Sequence, residues 1–383
     1  MVVQLKKTFS TLFNAEPLLF QSPGRVNIIG EHTDYNQGFV LPAAINKASY
    51  VALSQRSDDK IVLYSSLFDK QIECNLDSIA PMKDGWPNYI LGVVSELRKL
   101  NKDISGFNLV LDGDVPIGAG LSSSASVECA VAFGLNKLFD LKLSPMELAF
   151  IAQKAEHHFA GVMCGIMDQF ASVFGKKDHA LKLDCRSMEF EYIPLDLKGY
   201  KILLLNTNVE HALASTEYNI RRQQCEQGVN IIKAHHEKVE SLRDVSMEML
   251  DTYVKEADNE IYSKCKYVLE ENDRLLSAVN ALQNGDLVTL GKNMFASHDG
   301  LTGMYKVSCP ELDFLVDYVR TNSSVAGARM MGGGFGGCTI NLVKEEFIDE
   351  LLPVISADYK KNMGRDLSFY IAETANGSSE VFV

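Results

Sequence analysis

The sequence predicts an α+β protein built from two closely packed domains. The chain has 383 residues, which is long for one ordinary domain, and 46% of them are hydrophobic, enough to fill two cores. Strand-like and helix-like segments are mixed without the strict strand–helix alternation of a doubly wound α/β fold. The pattern restarts near residue 180. We therefore expect an N-terminal domain over residues 1–180 and a C-terminal domain over residues 181–383, with the boundary between about 175 and 200.

The first half opens with a short amphipathic helix and then alternates apolar and polar residues. This alternation predicts strands at residues 18–20, 48–54, 61–65 and 108–112. Helical spacing predicts helices over residues 86–100, 123–139 and 145–160. Ser57-Asp58-Asp59 has the composition of a hairpin turn between two of the strands. Ser144, Pro145 and Glu147 form the signature of a capping box at a helix start.

The second half carries strands on either side of a long helix-rich stretch. Strands are expected at residues 180–183 and 201–206, within 329–343 after a run of glycines, and at 367–372. Helices are expected within residues 216–290 and over 308–321 and 346–361. Ser308-Cys309-Pro310-Glu311 is predicted to form a second capping box.

Charge and cysteine content restrict the classes of function. The formal net charge of −13 argues against a nucleic-acid groove and against anionic membrane surfaces. The eight cysteines show no CxxC pair, which is typical of reduced thiols in a cytosolic protein. The N-terminus lacks the apolar block of a signal peptide, and no run approaches the roughly 18 apolar residues of a membrane span.

The most informative segment is a glycine- and serine-rich turn at residues 113–126, Gly-Asp-Val-Pro-Ile-Gly-Ala-Gly-Leu-Ser-Ser-Ser-Ala-Ser. It connects a predicted strand to a predicted helix N-terminus, so it would present backbone N–H groups beside the positive end of a helix. That arrangement is suited to binding phosphate. A Walker A loop is excluded because Leu121, and not lysine, follows Gly120. A dinucleotide loop is excluded because Ser123 replaces its third glycine and a second helix, not a strand, comes next.

The remaining interpretation is a phosphate loop that uses serine hydroxyls in place of lysine. The pattern Pro-x-Gly-x-Gly-Leu-Ser-Ser-Ser-Ala resembles the nucleotide loop of the GHMP small-molecule kinases. This resemblance implies a two-domain architecture with the active site in the cleft between the domains, and ATP with Mg²⁺ as cofactors. The residues that would bind the nucleotide are Pro116, Gly118, Ala119, Gly120, Leu121, Ser122, Ser123, Ser124 and Ala125. Ser123 and Glu156 would hold the metal.

A second cluster is dense in hydrogen-bonding groups. Arg25, Asn27, Glu31, His32 and Asp34 lie within ten residues and offer the donors and acceptors that a polyhydroxylated ligand requires. Such groups cannot all be buried without partners. The segment 24–35 resembles the sugar signature of one branch of the same family, which implies that Arg25, Glu31, His32 and Asp34 contact a sugar.

A third cluster contains Gly165 and Asp168, shortly after Glu156. The sequence Cys-Gly-Ile-Met-Asp-Gln over residues 164–169 resembles the catalytic segment of that branch. The resemblance implies that Asp168 is the carboxylate beside the reacting hydroxyl and that Arg25 stabilises the transferred phosphoryl group. Gly165 and Tyr218 would contact other sugar hydroxyls.

Two further features match the family less specifically. Residues 328–338 carry five glycines around Phe335 and resemble the C-terminal glycine motif, with Met331 and Gly333 where threonine and alanine are usual. Such a run allows close backbone approach. Trp86, the only tryptophan, either fills a core or forms the adenine side of the nucleotide site.

Taken together, the resemblance implies ATP-dependent phosphorylation of α-D-galactose at its C1 hydroxyl, giving galactose 1-phosphate, the first committed step of galactose metabolism. A cytoplasmic monomer without nucleic-acid or membrane partners is expected. A related kinase for N-acetylgalactosamine or arabinose stays open. A sensor that binds sugar and ATP without turnover is the other alternative, although it would not need the serines 122–126 together with Arg25 and Asp168.

Overall fold

The structure is a computed structural model that describes residues 1–83, 85–209 and 214–382, without the side chains of residues 214 and 215. It contains a six-stranded sheet, a four-stranded sheet and a three-stranded sheet, all combined with helices. The described strands are β1 Leu18–Asn27, β2 Phe39–Val40, β3 Pro42–Gln55, β4 Lys60–Ser65, β5 Lys70–Asn75, β6 Phe107–Gly113, β7 His179–Asp184, β8 Phe190–Pro194, β9 Tyr200–Asn206, β10 Val325–Met330, β11 Cys338–Lys344, β12 Ser368–Ala372 and β13 Ser379–Glu380. This mixture confirms the predicted α+β class.

Helices cover the sheets, and three of the described helices continue into short π turns. The described α-helices are α1 Val2–Phe13, α2 Trp86–Lys99, α3 Ser123–Leu138, α4 Pro145–Ala155, α5 Met167–Phe174, α6 Ala214–Lys233, α7 Met247–Met249, α8 Asn259–Gln283, α9 Leu287–Gly300, α10 Pro310–Arg320 and α11 Ile348–Met363. Two π-helical turns, Glu156–Ala160 and Leu301–Tyr305, continue α4 and α9 into the region of the site.

The six-stranded sheet has the strand order β13-β1-β3-β6-β4-β5. Apolar residues from one of its faces form a core with α2, α3 and α4, in which Leu53, Leu109 and Leu135 are fully buried. Burial of such side chains is the main stabilising contribution to this half. Helix α1 covers the opposite face of the six-stranded sheet with Leu5 and Phe9.

The four-stranded sheet, ordered β10-β11-β9-β12, contains only strands from the second half. A separate core connects the halves, because Ile28 from the first half packs in the same cluster as Leu275 and Ile340. Near the C-terminus, β13 pairs with β1 in the six-stranded sheet. The C-terminal end of the chain therefore packs against the first half. The domain boundary near residue 180 stays a prediction.

The predicted hairpin through Ser57-Asp58-Asp59 is wrong. Strands β3 and β4 do not pair; β6 lies between them, antiparallel to β3 and parallel to β4. The connecting segment instead clamps the start of β6, because Arg56 N donates to the Gly106 carbonyl and Gly106 N donates to the Asp58 carbonyl. The residue composition of a turn indicates only that the chain bends locally. It does not indicate that a strand about 50 residues later in the chain lies between the two strands that the turn connects.

Of the two predicted capping boxes, one is present. Ser144 Oγ accepts from Glu147 N and the Glu147 carboxylate accepts from Ser144 N, so α4 begins as expected. At α10 the N-cap residue is Cys309, and Ser308 Oγ donates to the Asp313 carboxylate instead of capping. Asp313, which is half-buried and lies 3.3 Å from His298 Nε2, competes successfully for the Ser308 hydroxyl.

Candidate active site

The loop before α3 turns sharply because several of its residues occupy the left-handed region. Gly118 and Gly120 both have φ of 74°, which glycine adopts without steric cost. Ser122, the N-cap residue of α3, also has a positive φ and makes no side-chain cap to its own helix. Its Oγ points elsewhere and donates to Asp168 Oδ2. The helix N-terminus is therefore left facing the neighbouring cavity, as expected of a phosphate site.

The glycine run after β10 forms the opposite wall of that cavity. A Cβ on Gly337 would lie 3.3 Å from the Ala119 backbone, and one on Gly332 would lie 3.4 Å from the Gly120 carbonyl oxygen. The two loops thus pack backbone against backbone, and their glycines permit this close approach. Between them lies a cavity of about 660 Å³.

The residues predicted to bind nucleotide divide into two groups. Six of them line this cavity: Gly118, Gly120, Leu121, Ser122, Ser123 and Ser124. The others support it from behind, since Ala119 and Ala125 are fully buried, and Pro116 is half-buried in the same loop. Trp86 packs in the core of the first half, with its ring stacked on Phe68 at 6.3 Å between centroids.

The cluster at residues 25–34 spans the end of β1 and the loop that follows it, and all of these residues are buried. Its backbone is held from the second half of the chain. Arg329 donates through Nε to the Ile28 carbonyl at 2.8 Å, and Glu271 Oε1 accepts from Gly30 N at 3.0 Å. These contacts fix a loop that has little regular hydrogen bonding of its own.

Glu31 joins this loop to the glycine run. Its Oε1 accepts from Arg329 Nη2 at 3.0 Å and from Gly332 N at 2.9 Å. The Glu31 and Arg329 side chains are 2% and 0% exposed, so this is a buried ion pair whose charges depend on each other. The Glu31 carboxylate therefore connects its loop directly to the start of the glycine run.

A second cavity of about 240 Å³ lies beside the first, and its walls carry every residue that the sequence assigned to a sugar or to catalysis. Those residues are Arg25, Glu31, His32, Asp34, Gly165, Asp168 and Tyr218. Gly165 must be glycine here, because a Cβ would come within 2.0 Å of Asp34 Oδ2. Its walls carry both donor and acceptor side chains, as a polyhydroxylated ligand requires.

Arg25 and Asp168 lie at the junction and line both cavities. Arg25 Nε donates to Asp168 Oδ1 at 2.8 Å, and Arg25 Nη1 donates to the Gly120 carbonyl at 2.6 Å. Asp168, in the first turn of α5, is thus fixed between Arg25 and Ser122. A group bound in either cavity would meet this pair.

Comparison with known proteins decides the family. Family models match at residues 7–55 (Galactokinase galactose-binding signature), 88–176 (GHMP kinases N terminal domain) and 278–360 (GHMP kinases C terminal). The galactokinase of Thermotoga maritima is 43% identical over 361 residues, covering 94% of this chain and 99% of its own. The galactokinase of Halalkalibacterium halodurans is 40% identical, covering 98% and 97%. The chain belongs to the galactokinase family.

Solved structures agree with this assignment. The crystal structure of Lactococcus lactis galactokinase complexed with galactose superposes with a TM-score of 0.95, at 35% identity, covering 99% of this chain and 100% of that one. The Methanococcus jannaschii mevalonate kinase superposes at 0.67 with 21% identity over 94% of this chain and 99% of its own, which shows a shared fold. The two-domain GHMP architecture predicted from the sequence is confirmed.

Carboxylates crowd this galactokinase-family site. Burial and the neighbouring charge of Asp168 raise the pKa of Asp34 to about 7, and the same two causes raise the pKa of Glu156 to about 7. Burial lowers the pKa of His32 to about 3, so its ring is neutral. Near neutral pH the Asp34 and Glu156 carboxyl groups are therefore only partly ionised.

Several residues of the site were not assigned a role from the sequence. Arg329 and Glu271 support the Glu31 loop from about 300 and 240 positions away. Tyr35 and Tyr305 form a hydrogen-bonded pair behind His32. Arg329 lies inside the 328–338 glycine motif, and a charged residue in the otherwise apolar strand β10 was the available signal.

Proposed function

We propose that the chain transfers the γ-phosphoryl group of ATP to the C1 hydroxyl of α-D-galactose, giving galactose 1-phosphate and ADP. The observation that carries this proposal is the Arg25–Asp168 pair, which lines both the phosphate-type cavity and the sugar-type cavity. A donor in the first cavity and an acceptor in the second would meet at this pair. Phosphoryl transfer needs this kind of positioning more than it needs covalent chemistry.

Asp168 is proposed to accept the proton of the C1 hydroxyl. As the C1 oxygen bonds to the γ-phosphorus and the bond to ADP breaks, that proton passes to the carboxylate. The anomeric hydroxyl is more acidic than an ordinary alcohol, which suits a carboxylate acceptor. The ion pair with Arg25 and the hydrogen bond from Ser122 hold Asp168 in place.

Arg25 is proposed to neutralise charge on the transferred group. It is 4% exposed and its guanidinium is held by Asp168 and by the Gly120 carbonyl, so it would need little reorganisation during the reaction. The backbone of residues 116–124 is proposed to bind the β- and γ-phosphates. Trp86, which packs in the core of the first half, is proposed to form the adenine side of the nucleotide site.

The sugar is proposed to bind in the smaller cavity, where the residues that would contact it are Glu31, His32, Asp34, Gly165 and Tyr218. Carboxylates accept from sugar hydroxyls, while the Tyr218 hydroxyl and the neutral His32 ring offer the complementary groups. Gly165 contributes space and backbone, because any side chain would collide with Asp34.

Mg²⁺ is proposed to accompany ATP, and the donor set suits it. Ser123 lines the phosphate-type cavity and Glu156 lines the adjacent sugar-type cavity; Glu156 Oε1 accepts from Ser124 Oγ at 3.0 Å. Within the described residues, no group of three or more His, Cys, Asp or Glu could hold a metal unaided. Mg²⁺ usually takes one or two protein oxygens together with phosphates and waters. When bound, the ion would neutralise phosphate charge.

A cytoplasmic location and a monomeric state are also proposed. All eight cysteines lie in the described part of the chain and are free thiols, which suits a reducing compartment. Among the described helices, none has the length and apolarity needed to cross a membrane.

A phosphotransfer assay over a sugar panel tests the proposed function. The enzyme is incubated with ATP, Mg²⁺ and either galactose, N-acetylgalactosamine or arabinose, and ADP and sugar phosphate are both measured. Galactose should give the highest kcat/KM. A higher kcat/KM with N-acetylgalactosamine or arabinose would show that galactose is not the substrate. Sugar binding without ADP release would favour the sensor alternative.

A further inference from the structure

A loop without regular secondary structure forms part of the wall of the smaller cavity. It covers residues 161–165, between the π turn Glu156–Ala160 and helix α5, and is called the wall loop below. Val162, Cys164 and Gly165 of this loop line the cavity. The shape of the cavity therefore depends on where the backbone of the wall loop lies.

The C-terminal part of the wall loop is held by the first half of the chain. Gln153 Nε2 donates to the Cys164 carbonyl at 3.2 Å, and His157 Nε2 lies 2.8 Å from the same oxygen. Cys164 N donates to the Val162 carbonyl at 2.9 Å. Backbone groups outside helices and strands need such partners, because they have no ladder of their own.

The N-terminal part of the wall loop is held by helix α6, which belongs to the second half of the chain. Asn219 Oδ1 accepts from Met163 N at 3.2 Å, and Asn219 Nδ2 donates to the Gly161 carbonyl at 3.4 Å. Arg222 Nη1 donates to the Met163 carbonyl at 2.9 Å. Both backbone groups of Met163 are therefore bound by side chains of α6.

Helix α6 is itself anchored next to the cavity. The buried Arg221 donates through Nε to the Tyr305 carbonyl at 2.9 Å and through Nη2 to the Lys306 carbonyl at 3.0 Å. A guanidinium that binds two carbonyls in this way fixes the direction of its helix. Tyr218 of the same helix lines the cavity. One anchored helix thus supplies a wall residue and holds the loop that supplies three others.

The contacts between α6 and the wall loop lie near the surface. The Arg222 side chain is 27% exposed and Asn219 is half-buried. A hydrogen bond that water can replace contributes little to the free energy of unfolding. Its loss should therefore release the wall loop locally and leave the fold intact.

We propose that Asn219 and Arg222 are positioning residues that hold the wall loop in the conformation that binds the sugar. Neither is among the described residues that line the cavity, so both act through the backbone of Gly161 and Met163. The proposal rests on the proposed function, because it takes a sugar as the occupant of the cavity.

Steady-state kinetics of the full-length enzyme test the role of Arg222. In Arg222→Met the KM for galactose should rise about tenfold, as expected when a binding wall is displaced, while the KM for ATP and the kcat change less than about threefold. Arg222→Lys keeps a donor for the Met163 carbonyl and should restore most of the loss. Glu226→Gln is the matched control, because it removes the exposed ion pair with Arg222 and leaves the contact with Met163. Its KM for galactose should equal that of wild type.

Asn219→Leu removes the other two contacts and should raise the KM for galactose in the same way. Hydrogen–deuterium exchange of the ligand-free protein should be faster in the peptide that covers residues 161–165, both in this variant and in Arg222→Met. Exchange in the peptide that covers β9 should match wild type. Faster exchange of both peptides would indicate general loosening and would overturn the proposal.

Calorimetry measures galactose binding without turnover. The dissociation constant should rise in Arg222→Met and Asn219→Leu by about the same factor as the KM, about tenfold. Unchanged galactose binding in both variants, or an equal rise in the KM for ATP, would overturn the proposal. Weaker galactose binding in the variants would support it even if wild type fails to phosphorylate galactose. That failure would count against the proposed function alone.

Discussion

Asp168 receives the Arg25 guanidinium at 2.8 Å on one oxygen and the Ser122 hydroxyl on the other, at the point where the two cavities meet. The two residues that hold it come from β1 and from the loop before α3. The position of the Asp168 carboxylate is therefore set by the two segments that line the proposed sugar and nucleotide cavities.

Replacement of Asp168 by asparagine should abolish most turnover. The amide cannot accept the C1 proton as the carboxylate can, so kcat should fall at least about a hundredfold, a typical loss for a general base. Galactose binding, measured by calorimetry, should stay within a few-fold of wild type. Asp140→Asn serves as control, because Asp140 is an exposed carboxylate far from the site. Near-normal turnover in Asp168→Asn would remove the base role and leave positioning and electrostatics.

Gly165→Ala should damage sugar binding. The new Cβ would lie within 2.0 Å of Asp34 Oδ2, so either the turn or the carboxylate must move. The KM for galactose should rise at least about tenfold, as expected when a close contact displaces a binding group. Gly303→Ala is the matched control, since a Cβ there meets no atom within 4 Å. Equal effects of the two substitutions on KM would contradict the assignment.

Arg329→Met should destabilise the protein strongly. It leaves Glu31 buried without its partner and removes donors from the Asn27 and Ile28 carbonyls. Breaking a buried pair in this way costs about 3–5 kcal/mol. Arg320→Met, which breaks exposed pairs with Asp299 and Asp317, should cost less than about 1 kcal/mol. Urea unfolding of the two variants measures the difference, and similar losses would contradict the burial argument.

Asp34→Asn should stabilise the ligand-free protein at high pH. The pKa of Asp34 is about 7 in the folded protein against 3.8 for the free side chain. The folded state thus holds a proton that the unfolded state has lost, and wild-type stability declines as pH rises between these two values. The melting temperature of Asp34→Asn should match wild type near about pH 4 and exceed it by several degrees near about pH 8.

Two other carboxyl groups provide the comparison for that titration. Glu156→Gln should show the same sign, because burial and Asp168 also raise the pKa of Glu156 to about 7. Asp58→Asn should instead lower the melting temperature by an amount that stays constant above about pH 4, because the hydrogen bond from Arg56 lowers the pKa of Asp58 to about 2. A melting-temperature difference for Asp34→Asn that is flat from about pH 4 to 8 would contradict the raised pKa.

The parts of the site that the sequence predicted are those encoded within short segments. The turn at 113–126, the cluster at 25–34 and the segment 164–169 each carry their geometry in local glycines and polar residues. The structure places all three around one pair of cavities. The family resemblance and the chemistry of the site could be predicted from the sequence because the backbone conformation of such loops permits only a few residue types.

The parts that the sequence did not predict depend on distant partners. The insertion of β6 between β3 and β4 overrides a local hairpin signal. Arg329 pairs with Glu31, about 300 residues away in the chain. The Ser308 hydroxyl donates to Asp313 and does not cap the helix as predicted. Such pairs form because buried polar groups must find partners, and a single sequence does not show which distant group is near.

The position of the phosphate on the product tests the central claim most directly. Wild-type enzyme, ATP, Mg²⁺ and galactose are allowed to react, and the product is examined by ³¹P NMR with coupling to the sugar protons. The account predicts phosphorus coupled to the anomeric proton, hence galactose 1-phosphate, with one ADP formed for each. Phosphate on C6, or bound sugar and ATP with no sugar phosphate formed, would contradict it.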